Sequence, residues 1–361
     1  MDPKLPLFGK DLAQLQEIAA AEGMPRFAAG QIASWLYKKG AAEIAQMSDL
    51  SLRHREALAE RYVAGRTPPA GVAVSADGTK KYLFELGGAK PEAAEPDSPG
   101  PDGAAQGSPA GCAIESAYIP DRERATLCVS SQAGCRMGCR FCATGAMGFV
   151  RDLSAGEILN QVASIPESAQ LTNLVYMGMG EPLDNLEEVV RSLDILTAPW
   201  GWAWSPTRIT VSTAGVLPAL DELLTHTKVH IAISLHNPLS DQRAAIMPLQ
   251  NAQPIEKIVA ALRRHDFAHQ RRLSFEYIVM EGLNDSPAHI KELARLLNGL
   301  PCRINLIRFH KIPGSPYFSP PQQKMEAFRD ALTAKGFTTT IRPSRGEDSE
   351  AACGLLSTNR K

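Results

Sequence analysis

The chain has 361 residues, a formal net charge of −1 and 44% hydrophobic residues, so it can bury a sizeable core and is not disordered by composition. No run of about 18 apolar residues occurs, and the N-terminus lacks the basic-then-apolar layout of a secretory signal. A cytoplasmic protein with no membrane span is therefore expected. Seven cysteines, odd in number and clustered, argue against a secreted disulfide framework and for metal or redox chemistry.

The first 66 residues read as a small helical module. Leu12, Leu15 and Ile18 recur at helical spacing before Gly23 and Pro25 stop the run. Ile32, Trp35 and Leu36 repeat the pattern, and a third helix is expected over 52–62. Nine Lys and Arg against eight acids nearly cancel here, which leaves folding support and docking of a partner as equal readings. Residues 72–86 predict a hairpin around Asp77-Gly78. The stretch 91–110 holds five Pro, three Gly, four acids and no aromatic or large aliphatic residue; it cannot offset its ordering entropy and reads as a disordered loop. It interrupts a strand pair that resumes at 114–119 and 125–130.

A strand–helix rhythm follows. Short β-branched runs at 174–177, 209–212, 229–235, 273–279, 304–309 and 338–341 alternate with helical segments. Ser154 with Glu157 forms a capping box, and Pro254 and Pro287 mark helix starts. This pattern implies a mainly parallel sheet with right-handed crossovers, open or curled into a barrel, with functional groups at the C-terminal strand ends. Trp200, Trp202 and Trp204 alternate in sequence; they suit either stacking on bases or packing against the rim. The last 61 residues carry ten Lys and Arg against five acids, and the run to Arg272 holds Arg263, Arg264 and Arg271. Such basic stretches are weak support for nucleic-acid binding.

The most informative segment is Cys135-Arg-Met-Gly-Cys139-Arg-Phe-Cys142. Three thiols on one loop leave a tetrahedral zinc set one ligand short, and no second Cys or His pair follows nearby. A 4Fe-4S cluster held by three thiolates keeps one iron open for an exogenous ligand, the geometry needed for reductive cleavage of S-adenosylmethionine. Zinc and free thiols are the alternatives.

This loop, with Thr126-Leu-Cys128-Val-Ser-Ser-Gln before it, resembles the RlmN/Cfr family of radical S-adenosylmethionine RNA methyltransferases, and within it the RlmN branch. Further similar motifs run along most of the chain: 26–37, Glu115 to Pro120, Gly178-Met-Gly-Glu181-Pro-Leu183, Ile209 to Thr213, Ser234-Leu-His236 and 345–354. The resemblance implies an α/β fold, a partial (βα)6 radical S-adenosylmethionine barrel with a small N-terminal helical accessory domain. The expected division is an RNA-binding accessory domain at 1–66, a β-hairpin extension at 67–120, and the barrel with a catalytic tail at 121–361.

The resemblance also implies roles. Cys135, Cys139 and Cys142 would ligate one 4Fe-4S cluster per chain. Gly180 and Glu181 would take the methionyl amine of S-adenosylmethionine, two molecules being used per turnover, and Ser212, Ser234, Leu235 and His236 would line that cofactor. His310 stands where better-known members carry Asn at a cofactor contact, with a charge free to vary near neutral pH. Cys353 would carry a methyl group, and a methylene radical formed on it would add to adenosine carbon 2 of 23S rRNA, and of tRNA beside the anticodon. Glu115 would act as base. Cys128 would then release the product by forming a transient disulfide with Cys353, and would need positive charge nearby to gain thiolate character. Methylation at carbon 8 and a non-catalytic metal-bound RNA scaffold are the other readings. An electron donor such as flavodoxin and a monomeric state are expected. Cys112 and Cys302 are read as bystanders, and the eight residues after Cys353 as a mobile tail.

Overall fold

The computed structural model describes residues 4–87, 112–267 and 271–358; the loop expected at 91–110 lies outside them. The N-terminal module comprises β1 (Leu5–Pro6), α1 (Leu12–Ala21), α2 (Ala28–Tyr37), α3 (Leu52–Arg61) and β2 (Tyr62–Val63). Its helices fall where the apolar spacing predicts them. Asp11 and Gln14 form a capping box at α1, and Ser51 caps α3.

Next come β3 (Gly71–Val74), β4 (Lys80–Glu85), β5 (Ala113–Asp121) and β6 (Arg124–Cys128), paired antiparallel in that order. The cysteine loop is bracketed by β7 (Gln132–Gly134) and β8 (Phe149–Asp152), an antiparallel pair with the short α4 (Ala143–Met147) between them. The sequence reading lacks this pair, because strands of three and four residues carry too few alternations to register.

The rest alternates: α5 (Ala155–Ala163), β9 (Asn173–Tyr176), α6 (Leu186–Thr197), β10 (Ile209–Thr213), α7 (Ala219–His226), β11 (His230–Ser234), α8 (Ser240–Ile246), α9 (Ile255–Leu262), β12 (Leu273–Val279), α10 (Pro287–Leu297), β13 (Arg303–Arg308), α11 (Gln322–Ala334) and β14 (Thr338–Ile341). Strands β6 and β9 to β13 are each followed by helix, the six βα units, and β14 adds a seventh parallel strand. One sheet runs β14-β13-β12-β11-β10-β9-β6-β5-β4-β3. It curls strongly. Five strand steps separate β9 from β14, about 24 Å in a flat sheet, yet the Arg342 guanidinium just past β14 lies 3.5 Å from Met177 Sδ just past β9. The partial barrel thus brings the C-terminal strand ends around a shared interior.

Two of the three tryptophans, Trp200 and Trp202, settle between module and barrel. Trp200 and Trp202 meet Tyr37 with ring centroids 6.0 Å apart, and Trp202 meets Phe8 at 6.2 Å; Trp204 lies under the Arg208 guanidinium. Their aromatic area glues α2 to the barrel wall, so packing accounts for them.

Candidate active site

Two cavities open at the C-terminal strand ends, and they meet at Met177, Arg342 and Cys353. The first is lined by Cys135, Cys139 and Cys142 together with Gly180, Glu181, Ser212, Ser234 and His236. The cysteine loop is held by main-chain bonds: Cys135 N–H donates to Gly148 O at 2.9 Å, Cys142 N–H to Cys139 O at 3.1 Å, and Arg140 N–H to Ile246 O at 3.0 Å. Phe141 packs edge-on to His236, centroids 4.7 Å apart.

Gly180 sits at φ +98°, and a Cβ there would lie 2.5 Å from that of Gln132, so the turn after β9 closes onto β7 only with glycine. That turn delivers Glu181, 4% exposed. Its Oε2 accepts the Ala214 N–H at 2.8 Å and its Oε1 the Leu183 N–H at 3.1 Å. Burial pushes its carboxyl up to about 7 in spite of these donors. A cationic amine in the cavity would compensate it. His236, also buried, is held neutral by desolvation, its pKa down at about 3. Its Nδ1 accepts the Ile278 N–H at 3.0 Å, so the proton resides on Nε2. The Leu235 side chain turns away into the main core; alternation along β11 sends its neighbours, not Leu235, to the cavity. It serves through its backbone, its carbonyl accepting from Arg243 Nε at 3.0 Å.

Arg243, on α8 and fully buried, was not legible in the sequence. Its guanidinium donates to the carbonyls of Ala214 and Ser234 and to Gln250 Oε1, clamping the ends of β10 and β11. Thr213 at the end of β10, Glu276 within β12 and Arg342 just past β14 also line it.

The second cavity, about 300 Å³, is at the small end for an organic ligand. Cys128 from β6 and Cys353 from the tail both line it, 225 residues apart in sequence, with Arg124, His310, Arg342 and Arg345. Burial pushes the Cys128 thiol up to about 12, with Cys353 adding to the rise and Arg342 opposing it. Arg342 is thus the positive charge expected beside Cys128, though burial outweighs it. Arg342 also pairs with Glu276 at 3.4 Å, whose other oxygen accepts from Asn305 at 2.8 Å and Ser274 at 2.9 Å.

Two expected site residues sit elsewhere than anticipated. His310 lines the thiol cavity and not the cysteine-loop cavity, near Ser344 Oγ at 3.4 Å and Glu347 at 3.7 Å. It follows β13 on a chain that turns towards the tail, and burial lowers its pKa while Glu347 opposes the shift. Glu115 on β5 lines neither cavity. Its carboxylate pairs with Lys81 at 3.1 Å and accepts the Ser357 N–H at 3.0 Å, and burial raises its pKa against Lys81. Contacts of the tail run as far as Ser357. Cys112 and Cys302 pack on the main core, away from both cavities.

The donor set suits a polynuclear cluster. Cys135, Cys139 and Cys142 line one cavity as three thiols of one loop, one short of a closed zinc set. A four-iron cube takes each thiolate on a separate iron and needs the thiols spread. Among the described residues no helix is long and apolar enough to cross a membrane.

Comparison with known proteins agrees. Residues 129–297 match the radical SAM superfamily and residues 5–63 the ribosomal RNA large subunit methyltransferase N-terminal domain. A Bacteroides thetaiotaomicron protein described as a probable dual-specificity RNA methyltransferase RlmN is 50% identical, covering 100% of this chain and 98% of its own. A Geobacter sulfurreducens dual-specificity RNA methyltransferase RlmN is 38% identical over 99% of this chain and 93% of its own. The crystal structure of a radical SAM methyltransferase from Sphaerobacter thermophilus superposes with a TM-score of 0.85 at 39% identity, covering 98% of this chain and 99% of that one. A three-thiol loop, a curled six-unit barrel and full-length relatives together show that this chain belongs to the RlmN family of radical S-adenosylmethionine RNA methyltransferases.

Proposed function

We propose that this enzyme methylates carbon 2 of adenosine in 23S rRNA and in tRNA beside the anticodon, using Cys353 as methyl carrier and Cys128 as the group that releases the product. The observation that carries the reading is the meeting of Cys128 and Cys353 on one cavity that adjoins the cysteine-loop cavity at Arg342 and Met177. Cys135, Cys139 and Cys142 would hold the 4Fe-4S cluster, and Glu181 and the His236 Nε2–H would orient S-adenosylmethionine. When bound, these groups supply an electron and, from one S-adenosylmethionine, a methyl cation equivalent, from a second a hydrogen-abstracting 5′-deoxyadenosyl radical.

The chain's own residues do the rest. Adenine carbon 2 is electron-poor, so it accepts a carbon radical but offers nothing to a sulfonium. Carrying the methyl group on the Cys353 sulfur converts the problem into addition of an S-methylene radical. The resulting RNA adduct is then opened. The adduct radical would give up one electron, to the group that Cys135, Cys139 and Cys142 would hold, as a base removes the carbon 2 proton; the Cys128 thiolate then attacks the Cys353 sulfur, the bond from that sulfur to the methylene carbon breaks, and that carbon takes up a proton to become methyl. Glu115 serves as the base once the Ser357 N–H leaves it. Arg342, which lines the cavity with both thiols and pairs with Glu276, opposes the burial that raises the Cys128 thiol. The target adenosine must leave its stack to enter a cavity this enclosed, and Arg124 and Arg345 at the rim suit its phosphates. The reaction belongs in the cytoplasm, where the disulfide is transient.

Nucleoside analysis of 23S rRNA and tRNA after anaerobic turnover tests this. 2-Methyladenosine is the expected product; 8-methyladenosine alone would sink the carbon 2 assignment.

A further inference from the structure

We infer that the β3–β4 turn is a dock for the C-terminal tail, and that Asp77, Gly346 and Asp348 are positioning residues that hold Cys353 over the Cys128 cavity. The inference rests on the reading of Cys128 and Cys353 as the working thiol pair. Cys353 needs such a device. It lies on irregular chain beyond β14, outside every helix and strand, and an untethered thiol reacts with a distant partner only as fast as diffusion of its linker allows.

The contacts are reciprocal. The Asp348 carboxylate accepts the Ser75 hydroxyl and, at 3.0 Å, the Ala76 N–H. Asp77 answers with Oδ2, which accepts the Gly346 N–H at 3.0 Å, while its Oδ1 accepts the Thr79 N–H of its own turn at 2.9 Å. Each strand turn thus caps the other across about 270 residues of sequence. Arg345 adds an ion pair to Asp121, the last residue of β5, at 3.2 Å.

Close approach supplies a second, independent observation. Gly346 has φ +67°, and a Cβ there would lie 2.8 Å from Thr79 Cγ2 and 2.7 Å from Ala351 Cβ. Only glycine lets the tail reach the turn. The Gly346 carbonyl then accepts the Ala351 N–H at 2.8 Å, folding the chain back so that Ala351 packs with Ala117 and Cys128. Cys353 follows two residues later. Beyond it a second anchor lies on α4: Gly354 O accepts the Ala143 N–H at 2.8 Å and Leu356 O the Thr144 hydroxyl at 2.7 Å. The thiol is suspended between these two anchors. Asp348 is solvent-exposed, so its bonds add little to overall stability; their effect is on where Cys353 spends its time.

Two measurements on the full-length chain test the dock. In the iron-loaded enzyme, Asp348→Ala is expected to speed hydrogen exchange over 345–357 about tenfold, the worth of roughly one hydrogen bond to a charged group, with the melting temperature unchanged. In a Cys135, Cys139 and Cys142→Ala background, oxidised glutathione takes two electrons and the two thiol protons from Cys128 and Cys353, leaving their disulfide and two reduced glutathione molecules. Asp348→Ala and Gly346→Ala should each lower the equilibrium constant for that disulfide about tenfold, and Asp348→Asn, which keeps one acceptor oxygen, should lower it less. Variants within twofold of their parent in both measurements would overturn the dock alone. A parent that forms no Cys128–Cys353 disulfide would overturn the thiol-pair reading and the dock with it.

Discussion

The two cavities share Arg342 and Cys353 yet are built in opposite ways. The cysteine-loop cavity is floored by the ends of β9, β10 and β11 and closed by main-chain bonds: Glu181 is seated by the Ala214 and Leu183 N–H groups, and β10 and β11 are clamped by the buried Arg243. The thiol cavity has one wall of sheet, which carries Cys128, and one wall of irregular tail, which carries Cys353 and is tied down by a few polar contacts to surface turns. A cofactor of constant shape is met by a rigid frame. A covalent carrier that must meet a cofactor, a nucleobase and a second thiol in succession is placed on chain that is cheap to move.

The comparison can be broken at several points. The largest effect is expected from replacing Cys135, Cys139 and Cys142 together by Ala, which should abolish iron binding and activity; an iron–sulfur chromophore surviving in the visible spectrum would contradict the assignment of that loop. Next, Cys128→Ala should cut turnover at least about a hundredfold, because the sheet wall then lacks its nucleophile, and should accumulate RNA attached to Cys353. Intact-protein mass spectrometry showing no adduct would remove the mobile wall from the mechanism. Third, Arg243→Met leaves the Ser234 and Leu235 carbonyls without their donor in a fully buried place, a loss of about 3 kcal/mol measurable by denaturant unfolding. A neutral result would mean the frame does not depend on that clamp.

Glu181→Gln sharpens the rigid side. Because burial raises the folded-state carboxyl from its usual 4.5 to about 7, the native chain holds a proton there that the unfolded chain has released. Stability should therefore fall as pH rises from 4.5 to 7 and level off above, and the Gln variant should lose that component. Melting temperatures across pH 4.5–8 check it, and the variant should bind S-adenosylmethionine about tenfold more weakly, one charged hydrogen bond's worth. The smallest effect lies outside both cavities: Trp204→Ala should cost about 0.5–1 kcal/mol through its Arg208 contact and leave RNA affinity unchanged, where a base-stacking role predicts weaker binding.

Much of the frame is legible in the sequence. The capping box at Ser154, the starts marked by Pro254 and Pro287 and the β-branched runs correspond to α5, α9, α10 and the strands β9 to β14, since helix caps and strand alternation are local. The β7–β8 pair escaped because it is too short to show a period. Motif position points His310 and Leu235 at the cofactor, whereas the turn of the chain after β13 places His310 in the thiol cavity and the alternation of β11 sends the Leu235 side chain into the core. Arg243 and Arg342 escaped because an arginine's burial depends on partners contributed by other strands.

By itself the sequence determined the chemistry on offer: three thiols in one loop, an acid after a glycine turn, and two more thiols far apart. Their spacing is covalent and local, so it is legible as text. Only the tertiary structure decided who meets whom. Sheet curvature brings Arg342 to Met177 across five strand steps, and the docking of the 345–350 turn on β3–β4 brings Cys353 to Cys128. Such contacts follow from how distant elements pack against one another, which no local pattern encodes.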